Sequence, residues 1–196
     1  LDRKRCNFSF KMISVKVNKY WGGLQIGPFE GDNVHTLLPL LKQEFPDWSS
    51  KQIKSYVELV ASKKQDVTGL LVARNEAHYY VGLIVFTIQQ VSSEHVNKSK
   101  VINIKNKEKK PLNVLVIENL IASSPILQKQ VFMALVDAVI DIAKNNSYDF
   151  VELPKFDNES YDLIKDKYQS QIMESEGFRT YLKLSKSLTE HTEPLY

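Results

Sequence analysis

The stretch that most constrains the fold is residues 113–145, which join a strand pattern directly to a long helix pattern. The strand pattern is the apolar, β-branched run from Val114 to Ile117, continued by Leu120 and Ile121. Apolar residues then recur at helical spacing over a broad surface: Leu127, Val131, Leu135, Val136, Ala138, Val139, Ile140, Ile142 and Ala143. Such a surface favours a helix packed against a sheet. Because a second β-rich run follows at residues 149–156, the stretch predicts a strand–helix–strand unit of an α/β protein.

The flanking patterns predict further helices and strands. Residues 33–45 have helical spacing, which we expect Pro39 to kink or split. A second helix is expected to begin at Ser49, which forms a capping box with Gln52. The other predicted elements are strands within residues 7–20, a turn at 21–23, a loop at 26–32, a strand hairpin at 69–74 and 79–90, an amphipathic helix at 160–176 and a last strand at 180–184.

The composition is that of an ordinary globular chain. Of 196 residues, 43% are hydrophobic and 25% are charged, and the net charge is +3. This mild positive charge permits an acidic partner but does not demand nucleic acid. Because Cys6 is the single cysteine, no internal disulfide framework can form, which favours a reducing, cytoplasmic location. The longest apolar run, residues 79–88, is too short to span a bilayer and no signal-peptide pattern is present, so no membrane partner is expected.

We expect a single domain at residues 13–186, between a flexible N-terminal segment at 1–12 and a loose tail at 187–196. Within it, residues 91–110 predict a Lys-rich hairpin extension, with its lysines between Lys98 and Lys110. A solvated hairpin tip is the simplest interpretation, and a basic finger for an acidic protein or an RNA backbone is the alternative. Base stacking on this segment is not expected, because it lacks interleaved aromatic residues. Self-association is left open.

The strand–helix stretch resembles the central motif of the general N-acetyltransferase (GNAT) superfamily, approximately I-E-D-L-x-V-x-P-x-x-R-G-x-G-x-G-x-A-L-L. Ile117-Glu118-Asn119-Leu120 matches its first four positions, and Ala134-Leu135-Val136 matches its last three without a gap. Residues 174–178 resemble the family's closing turn, Y-x-x-x-G-F. The resemblance implies an α/β (α+β mixed) fold of GNAT type, with a twisted mixed sheet of six to seven strands flanked by about four helices.

The same alignment departs from the family at most positions of its chemical signature. The family's arginine, its three loop glycines and its closing-turn tyrosine are replaced by Leu127, Gln128, Gln130, Phe132 and Met173. Glycine lets a backbone approach a pyrophosphate closely. Here Ser124 as N-cap and Pro125 as the first helical residue would start a regular helix, whose internal bonds occupy the amides of residues 128–132. The motif is therefore a degenerate acetyl-CoA-binding loop, and the binding of acyl-CoA is left open.

The resemblance implies roles for individual residues. Glu118 falls where the family has its general base, although a structural ion pair would also explain a charge inside an apolar strand. The backbone of Leu120, Ile121 and Ala122 would polarise the thioester carbonyl. The cofactor-binding segment would comprise Leu127, Gln128, Lys129, Gln130, Val131 and Phe132, with Asn158 on the pantetheine arm. Because Met173 cannot donate a proton, Tyr168 is the candidate general acid, with Tyr161 as the alternative.

Two functions are compatible with this sequence. The first is a divergent acyl-CoA-dependent N-acetyltransferase that acts on an amine of a small molecule or a protein, and the retained Glu118 favours it. The second is a catalytically inactive GNAT-fold module that serves as a protein- or RNA-binding subunit of a larger assembly. The joint loss of the glycines and the tyrosine favours the second function. The four histidines show no metal-ligand spacing, so no metal is expected.

Overall fold

The structure is a computed structural model, and it describes residues 19–29, 34–61, 68–91, 111–123, 125–154, 158–168, 172–174 and 180–184. Eight strands form one sheet: β1 (Lys19–Trp21), β2 (Leu24–Pro28), β3 (Thr68–Arg74), β4 (Tyr80–Val91), β5 (Leu112–Ala122), β6 (Phe150–Leu153), β7 (Ile172–Glu174) and β8 (Thr180–Lys183). Their order is β1-β2-β3-β4-β5-β6-β8-β7. The β5–β6 pair is parallel and the other neighbours are antiparallel, so the sheet is mixed, as predicted.

Four α-helices accompany the sheet in the described residues: α1 (Leu38–Glu44), α2 (Ser50–Ala61), α3 (Pro125–Asn145) and α4 (Asn158–Tyr168). A 3₁₀ turn at Val34–Leu37 leads into α1, and Pro39 lies in the first turn of α1, where a missing N–H costs nothing. The predicted capping box is present. The Ser49 amide donates to Gln52 Oε1 at 2.8 Å, and the Gln52 amide donates to Ser49 Oγ at 3.2 Å. None of these helices is long and apolar enough to cross a membrane.

The sheet has two apolar faces, each with its own helices. On the α3 face, helix α3 packs on strand residues that alternate along the sheet, including Leu71, Ile84 and Leu115. On the opposite α1–α2 face, helices α1 and α2 cover Leu70, Val72, Leu83, Val85 and Ile121. Because neighbouring residues of a strand point to opposite faces, each central strand serves both cores. This double coverage explains why β3 and β4 are continuous apolar runs in the sequence.

The mixed fold class is confirmed, and two local predictions are corrected. Residues 24–28, most of which were predicted as loop, form β2, which pairs with β1 across a tight turn at Gly22 (φ +53°) and Gly23 (φ +82°). Only glycine adopts two such positive values in succession at little cost. The helix predicted at residues 160–176 ends at Tyr168, and Ile172–Glu174 forms β7 against β8. The segments predicted at residues 1–12 and 187–196 lie outside the described residues, as do residues 92–110 of the hairpin extension predicted at 91–110.

Candidate active site

The centre of the candidate site is a β-bulge in β5. Along the β4–β5 ladder, Val85 pairs with Asn119 and Phe86 pairs with Ile117, so Glu118 is an extra residue without a partner in β4. A bulge of this kind re-aims side chains, and bulges are common beside active sites. Nothing in the sequence pattern around Glu118 identified the extra residue, because a bulge depends on the partner strand.

The bulge brings Glu118 to the α1–α2 face. Thr87 follows Phe86, which is buried on the α3 face, and it therefore points to the opposite side of β4. The Thr87 hydroxyl donates a hydrogen bond to Glu118 Oε1 at 2.8 Å. The Glu118 side chain is exposed, and it has no cationic partner within the described part of the chain. Among the described residues, the contact of this carboxylate is therefore a hydrogen bond from Thr87.

Asn119 links the bulge to helix α2. Its Nδ2 donates a hydrogen bond to the Tyr56 hydroxyl at 2.7 Å. Burial raises the pKa of Tyr56, the Glu118 carboxylate raises it further, and the hydrogen bond from Asn119 acts in the opposite direction. The phenol is therefore neutral across the physiological range. Glu118, Asn119, Tyr56 and Thr87 are defined here as the bulge cluster, in which one carboxylate and one phenol share a face of the sheet.

An aromatic wall stands beside the bulge cluster at the α1–α2 connection. Phe45 and Trp48 are stacked with their ring centroids 4.4 Å apart. Trp48 meets the Tyr56 ring edge-on at 5.7 Å, and Phe45 does so at 6.1 Å. All three side chains are half-buried against the α1–α2 core. Trp48 thus packs within the connection, and the wall holds the Tyr56 ring in place.

Strand β5 leaves its neighbour beside the bulge. Its parallel pairing with β6 runs from Val114 to Val116, while β5 itself continues to Ala122. On its other edge, β5 stays paired with β4 up to Ala122. The segment proposed to polarise a carbonyl lies in this region, with Leu120 and Ala122 against the α3-face core and Ile121 buried on the α1–α2 face. The bulge cluster and the strand divergence therefore occur together in β5.

The start of α3 differs from a glycine-rich loop. The helix begins at Pro125, so the amides of residues 128–132 lie inside it, and the amides of the first turn have no acceptor within the helix itself. Gln130, at a family glycine position, donates from Nε2 to the Gly22 carbonyl at 2.7 Å and ties α3 to the β1–β2 turn. Val131 and Phe132 are buried, Gln128 is half-buried and Lys129 is exposed. The Leu127 side chain lies outside the described residues.

Close packing of α3 on the sheet depends on a glycine in β4. A Cβ atom at Gly82 would lie 2.3 Å from Val131 Cγ1 and 3.0 Å from the Ile121 carbonyl oxygen. Both distances are shorter than ordinary van der Waals contact. The observed packing of α3 on β4 therefore requires glycine at position 82.

Tyr168, the predicted general acid, lies in a different environment. Its hydroxyl donates to Asp137 Oδ1 at 2.5 Å, and Lys167 Nζ lies 2.5 Å from Asp137 Oδ2. This network joins α4 to α3, where Tyr168 packs against the α3-face core. Asp137 is in the middle of α3, about 18 Å along the helix axis from Pro125. The structure does not bring Tyr168 together with Glu118, and it gives the phenol a helix-bridging role.

Two further predicted positions are only partly described. Asn158 is the first residue of α4, and its side chain lies outside the described residues. Met173 pairs with Tyr181 in the β7–β8 ladder, and its side chain is likewise outside them. In the described part of the chain, no group of three or more His, Cys, Asp or Glu residues is placed to hold a metal ion.

Sequence reasoning missed three members of the bulge cluster: Tyr56, Thr87 and Asn119. Tyr56 recurs with Ile53, Val57 and Val60 at helical spacing, so the sequence predicts it as part of the buried stripe of α2, and only its hydroxyl departs from that prediction. Asn119 falls where the family motif has aspartate, and this polar position inside an apolar strand was the available signal. Thr87 gave no signal, because threonine is common in strands.

Comparison with known proteins identifies the architecture. No protein-family model and no curated protein sequence matches the chain. Among solved structures, AtaT complexed with acetyl-methionyl-tRNAfMet is similar with a TM-score of 0.56 and 12% identity, over 82% of this chain and 94% of that one. A chain of the NatC complex bound to Gag peptide and CoA is similar with a TM-score of 0.52 and 13% identity, over 83% and 99%.

A third similar structure carries the name of the family. It is a GNAT family acetyltransferase from Staphylococcus aureus, with a TM-score of 0.52 and 13% identity over 69% of this chain and 88% of that one. Identities this low establish the architecture and leave function to be argued from the site. Strand order, the parallel β5–β6 pair and the helix between those strands agree with the resemblance in the central motif. The chain therefore has the GNAT fold.

Proposed function

We propose that this protein is an acyl-CoA-dependent N-acyltransferase that transfers an acyl group to an amine, with Glu118 as its general base. The observation that carries the proposal is an exposed carboxylate set on a bulge, beside the point where β5 leaves β6. Because this carboxylate is exposed, burial does not require a structural partner for it. The described residues give this one a single hydroxyl contact and no opposite charge.

The chemistry requires an amine to lose a proton as it attacks a thioester. Glu118 Oε1 accepts a hydrogen bond from Thr87, which leaves Oε2 to accept the proton of the amine. The backbone of residues 120–122 supplies amide donors for the carbonyl oxygen, whose negative charge grows during attack. These roles need the main chain and one carboxylate, both of which the sequence retains. The acceptor enters beside the aromatic wall of Phe45 and Trp48.

The acyl-CoA would be held mainly by the main chain of α3. With Pro125 as the first helical residue, the amides of Ile126 and Leu127 have no acceptor within the helix and lie at the positive end of its dipole. Lys129 is exposed on the following turn and adds positive charge for the phosphates. On the resemblance, Asn158 at the start of α4 would contact the pantetheine arm. In this proposal the pyrophosphate binds one turn earlier than in a glycine-rich loop.

The second candidate function is a non-catalytic binding module, and the contact of Gln130 favours it. A side chain at a family glycine position donates to the Gly22 carbonyl, so this position stabilises the structure where a loop would otherwise receive a phosphate. Such a module would bind a protein or RNA through another surface, with residues 98–110 as the basic segment for it. The proteins of similar fold include one complexed with a tRNA and one in a complex with a peptide.

Calorimetric titration with acetyl-CoA and with CoA separates the two functions. We expect binding, and a raised melting temperature, since a ligand at a hundredfold excess over its Kd stabilises the folded state by about 2.7 kcal/mol. Desulfo-CoA is the matched probe for the contribution of the thiol. No binding of either ligand at millimolar concentration would refute the acyltransferase and leave the binding module.

A further inference from the structure

The Tyr56 side chain is held in one orientation from both ends. At one end, Phe45 and Trp48 meet its ring with interplanar angles of 63° and 80°. At the other end, Asn119 Nδ2 donates to its hydroxyl at 2.7 Å. Tyr56 is also flanked in α2 by the buried residues Ile53 and Val57. Because these contacts already fix the Tyr56 side chain, its oxygen faces the bulge of β5 and no further side-chain entropy has to be lost to place it there.

The hydrogen bond from Asn119 leaves the phenolic proton uncommitted. A tyrosine hydroxyl can accept through a lone pair and donate its own proton. The Tyr56 hydroxyl accepts a hydrogen bond from Asn119, and the described residues provide no acceptor for its own proton. Tyr168 does the opposite and donates its proton to Asp137. Of these two tyrosines, only Tyr56 keeps a proton available for another molecule.

Tyr56 also lies on the same face of the sheet as the proposed base. Its partner Asn119 follows Glu118 directly in the bulge, and the Glu118 carboxylate is close enough to act on the phenol electrostatically. Burial raises the pKa of Tyr56 and the negative charge of Glu118 raises it further, so the phenol carries its proton at physiological pH. An ionised carboxylate and a protonated phenol are the two states that a base and an acid need at the same pH.

We infer that Tyr56 is the general acid of the proposed transfer and gives its proton to the sulfur that leaves the thioester. This inference rests on the acyltransferase function proposed above. It replaces the earlier assignment of Tyr168, whose proton is bound to Asp137 on the other face of the sheet. It also supplies a proton donor that Met173, at the family's tyrosine position, cannot provide.

The proposed step balances as follows. The nitrogen lone pair of the amine forms a C–N bond to the thioester carbonyl carbon, and Glu118 removes one proton from that nitrogen. When the C–S bond breaks, the sulfur takes the bonding electrons and the Tyr56 proton and leaves as a thiol. The Tyr56 phenolate then regains a proton through solvent, as Glu118 loses the one it accepted. The net change is a thioester and an amine converted to an amide and a thiol.

The test compares Tyr56→Phe with Tyr80→Phe. Tyr80 is a matched control, because its hydroxyl is also half-buried on the α1–α2 face and accepts a hydrogen bond at 2.8 Å, from Arg74 Nη2. With acetyl-CoA and a primary amine, we expect kcat of Tyr56→Phe to fall by about 100-fold or more, while KM for acetyl-CoA changes by less than about threefold. Tyr80→Phe should retain the wild-type kcat. Calorimetry with CoA should give the same affinity for all three proteins.

A second substrate distinguishes proton donation from positioning. The S-acetyl thioester of 4-nitrothiophenol has a leaving group that needs no proton, so the deficit of Tyr56→Phe should largely disappear with it. An independent readout is the tyrosinate absorbance during alkaline titration. Burial raises the pKa of Tyr56, Tyr148 and Tyr168, so Tyr56→Phe should remove one of these late-ionising tyrosines, and in Glu118→Gln the Tyr56 phenol should ionise at lower pH.

Each negative outcome has a separate meaning. A Tyr56→Phe variant with wild-type kcat would overturn the assignment of the acid and leave the acyltransferase intact. An equal deficit with both thioesters would also overturn it, because a merely positioning residue affects them alike. A wild-type protein that binds no CoA and transfers no acyl group would overturn both the function and this inference.

Discussion

Two tyrosines on opposite faces of one sheet show how the fold separates stability from chemistry. Tyr168 donates its proton to the buried Asp137, whereas Tyr56 accepts a hydrogen bond from Asn119 and keeps its proton. Burial raises the pKa of both phenols, so burial alone does not distinguish them. The direction of the hydrogen bond does. Among the described residues, the polar network on the α3 face is closed, whereas the network on the α1–α2 face is open, since the Tyr56 proton has no acceptor.

The carboxylates of the two faces differ in the same way. Asp137 is 5% exposed and is paired with Lys167 and Tyr168, as a buried charge must be. Glu118 is exposed, and from the described residues it accepts one hydrogen bond, that of Thr87. Removing Asp137 should therefore affect folding, and removing the charge of Glu118 should affect chemistry. The comparison fails if either variant behaves like the other.

The largest effect is expected at Glu118, the exposed carboxylate of the α1–α2 face. In Glu118→Gln the amine loses its proton acceptor, and we expect acyl transfer to fall by about 10²- to 10⁴-fold, which corresponds to about 2.7–5.4 kcal/mol of activation free energy. Because Glu118 is exposed, the free energy of unfolding should change by less than about 0.5 kcal/mol. Steady-state kinetics and urea denaturation measure the two quantities. Loss of folding without a specific loss of kcat would place Glu118 with the structural residues.

The sequence predicted the framework well because local signals agreed with the tertiary structure. The strand–helix stretch, the β3–β4 hairpin and the Ser49–Gln52 capping box follow from periodicity and turn chemistry within a few residues. The short strands β2 and β7 were missed, since each exists through pairing with a strand elsewhere in the chain. Residues 172–174 match a helical stripe as well as a strand, and their pairing with β8 decided the outcome.

The candidate site was predictable only where one residue carried the signal. Glu118 was identifiable as a charge in an apolar strand, and the structure places it on a bulge. Its relation to Tyr56 depends on a contact across 63 residues of sequence, between Asn119 and the hydroxyl of a residue that otherwise fits a buried stripe. Asp137 likewise sits on the apolar helix α3, and its partner Tyr168 is 31 residues away. Networks of this kind require the fold before they can be seen.

The next largest effect is expected at Asp137, the buried carboxylate of the α3 face. Asp137→Ala removes the acceptor of both Tyr168 and Lys167, and we expect a loss of about 2 kcal/mol in the free energy of unfolding. The loss stays moderate because the Lys167 side chain is 43% exposed and can be hydrated. Glu58→Ala is the matched control, since its carboxylate pairs with Lys54 at 3.7 Å on the surface and should contribute less than about 0.5 kcal/mol. Equal losses in the two variants would contradict a buried network.

Tyr168→Phe tests the hydrogen bond that the Tyr168 hydroxyl donates to Asp137. We expect a loss of about 1 kcal/mol near neutral pH, because Asp137 keeps Lys167 and loses one donor. Burial, the hydrogen bond to Asp137 and the charge of Asp137 raise the pKa of Tyr168 above its unfolded value near 10. A raised pKa gives stability that is complete below pH 10 and is lost as the pH rises further. The wild-type protein should therefore lose stability above pH 10 more steeply than the variant, and parallel urea titrations would refute this.

The smallest effect is expected at Gln130, where the two proposed functions differ. Gln130→Ala removes the hydrogen bond to the Gly22 carbonyl at the surface, which should cost about 0.5 kcal/mol of stability. If acyl-CoA binds to the amides of the first turn of α3, its affinity should change by less than about twofold, since the Gln130 amide lies inside the helix. Calorimetry measures this affinity, and Lys144→Ala, at the exposed far end of α3, is the control. A large gain in affinity would contradict this prediction. It would mean that the Gln130 side chain obstructs the phosphate site and that the start of α3, like the closed network of the α3 face, has a structural role.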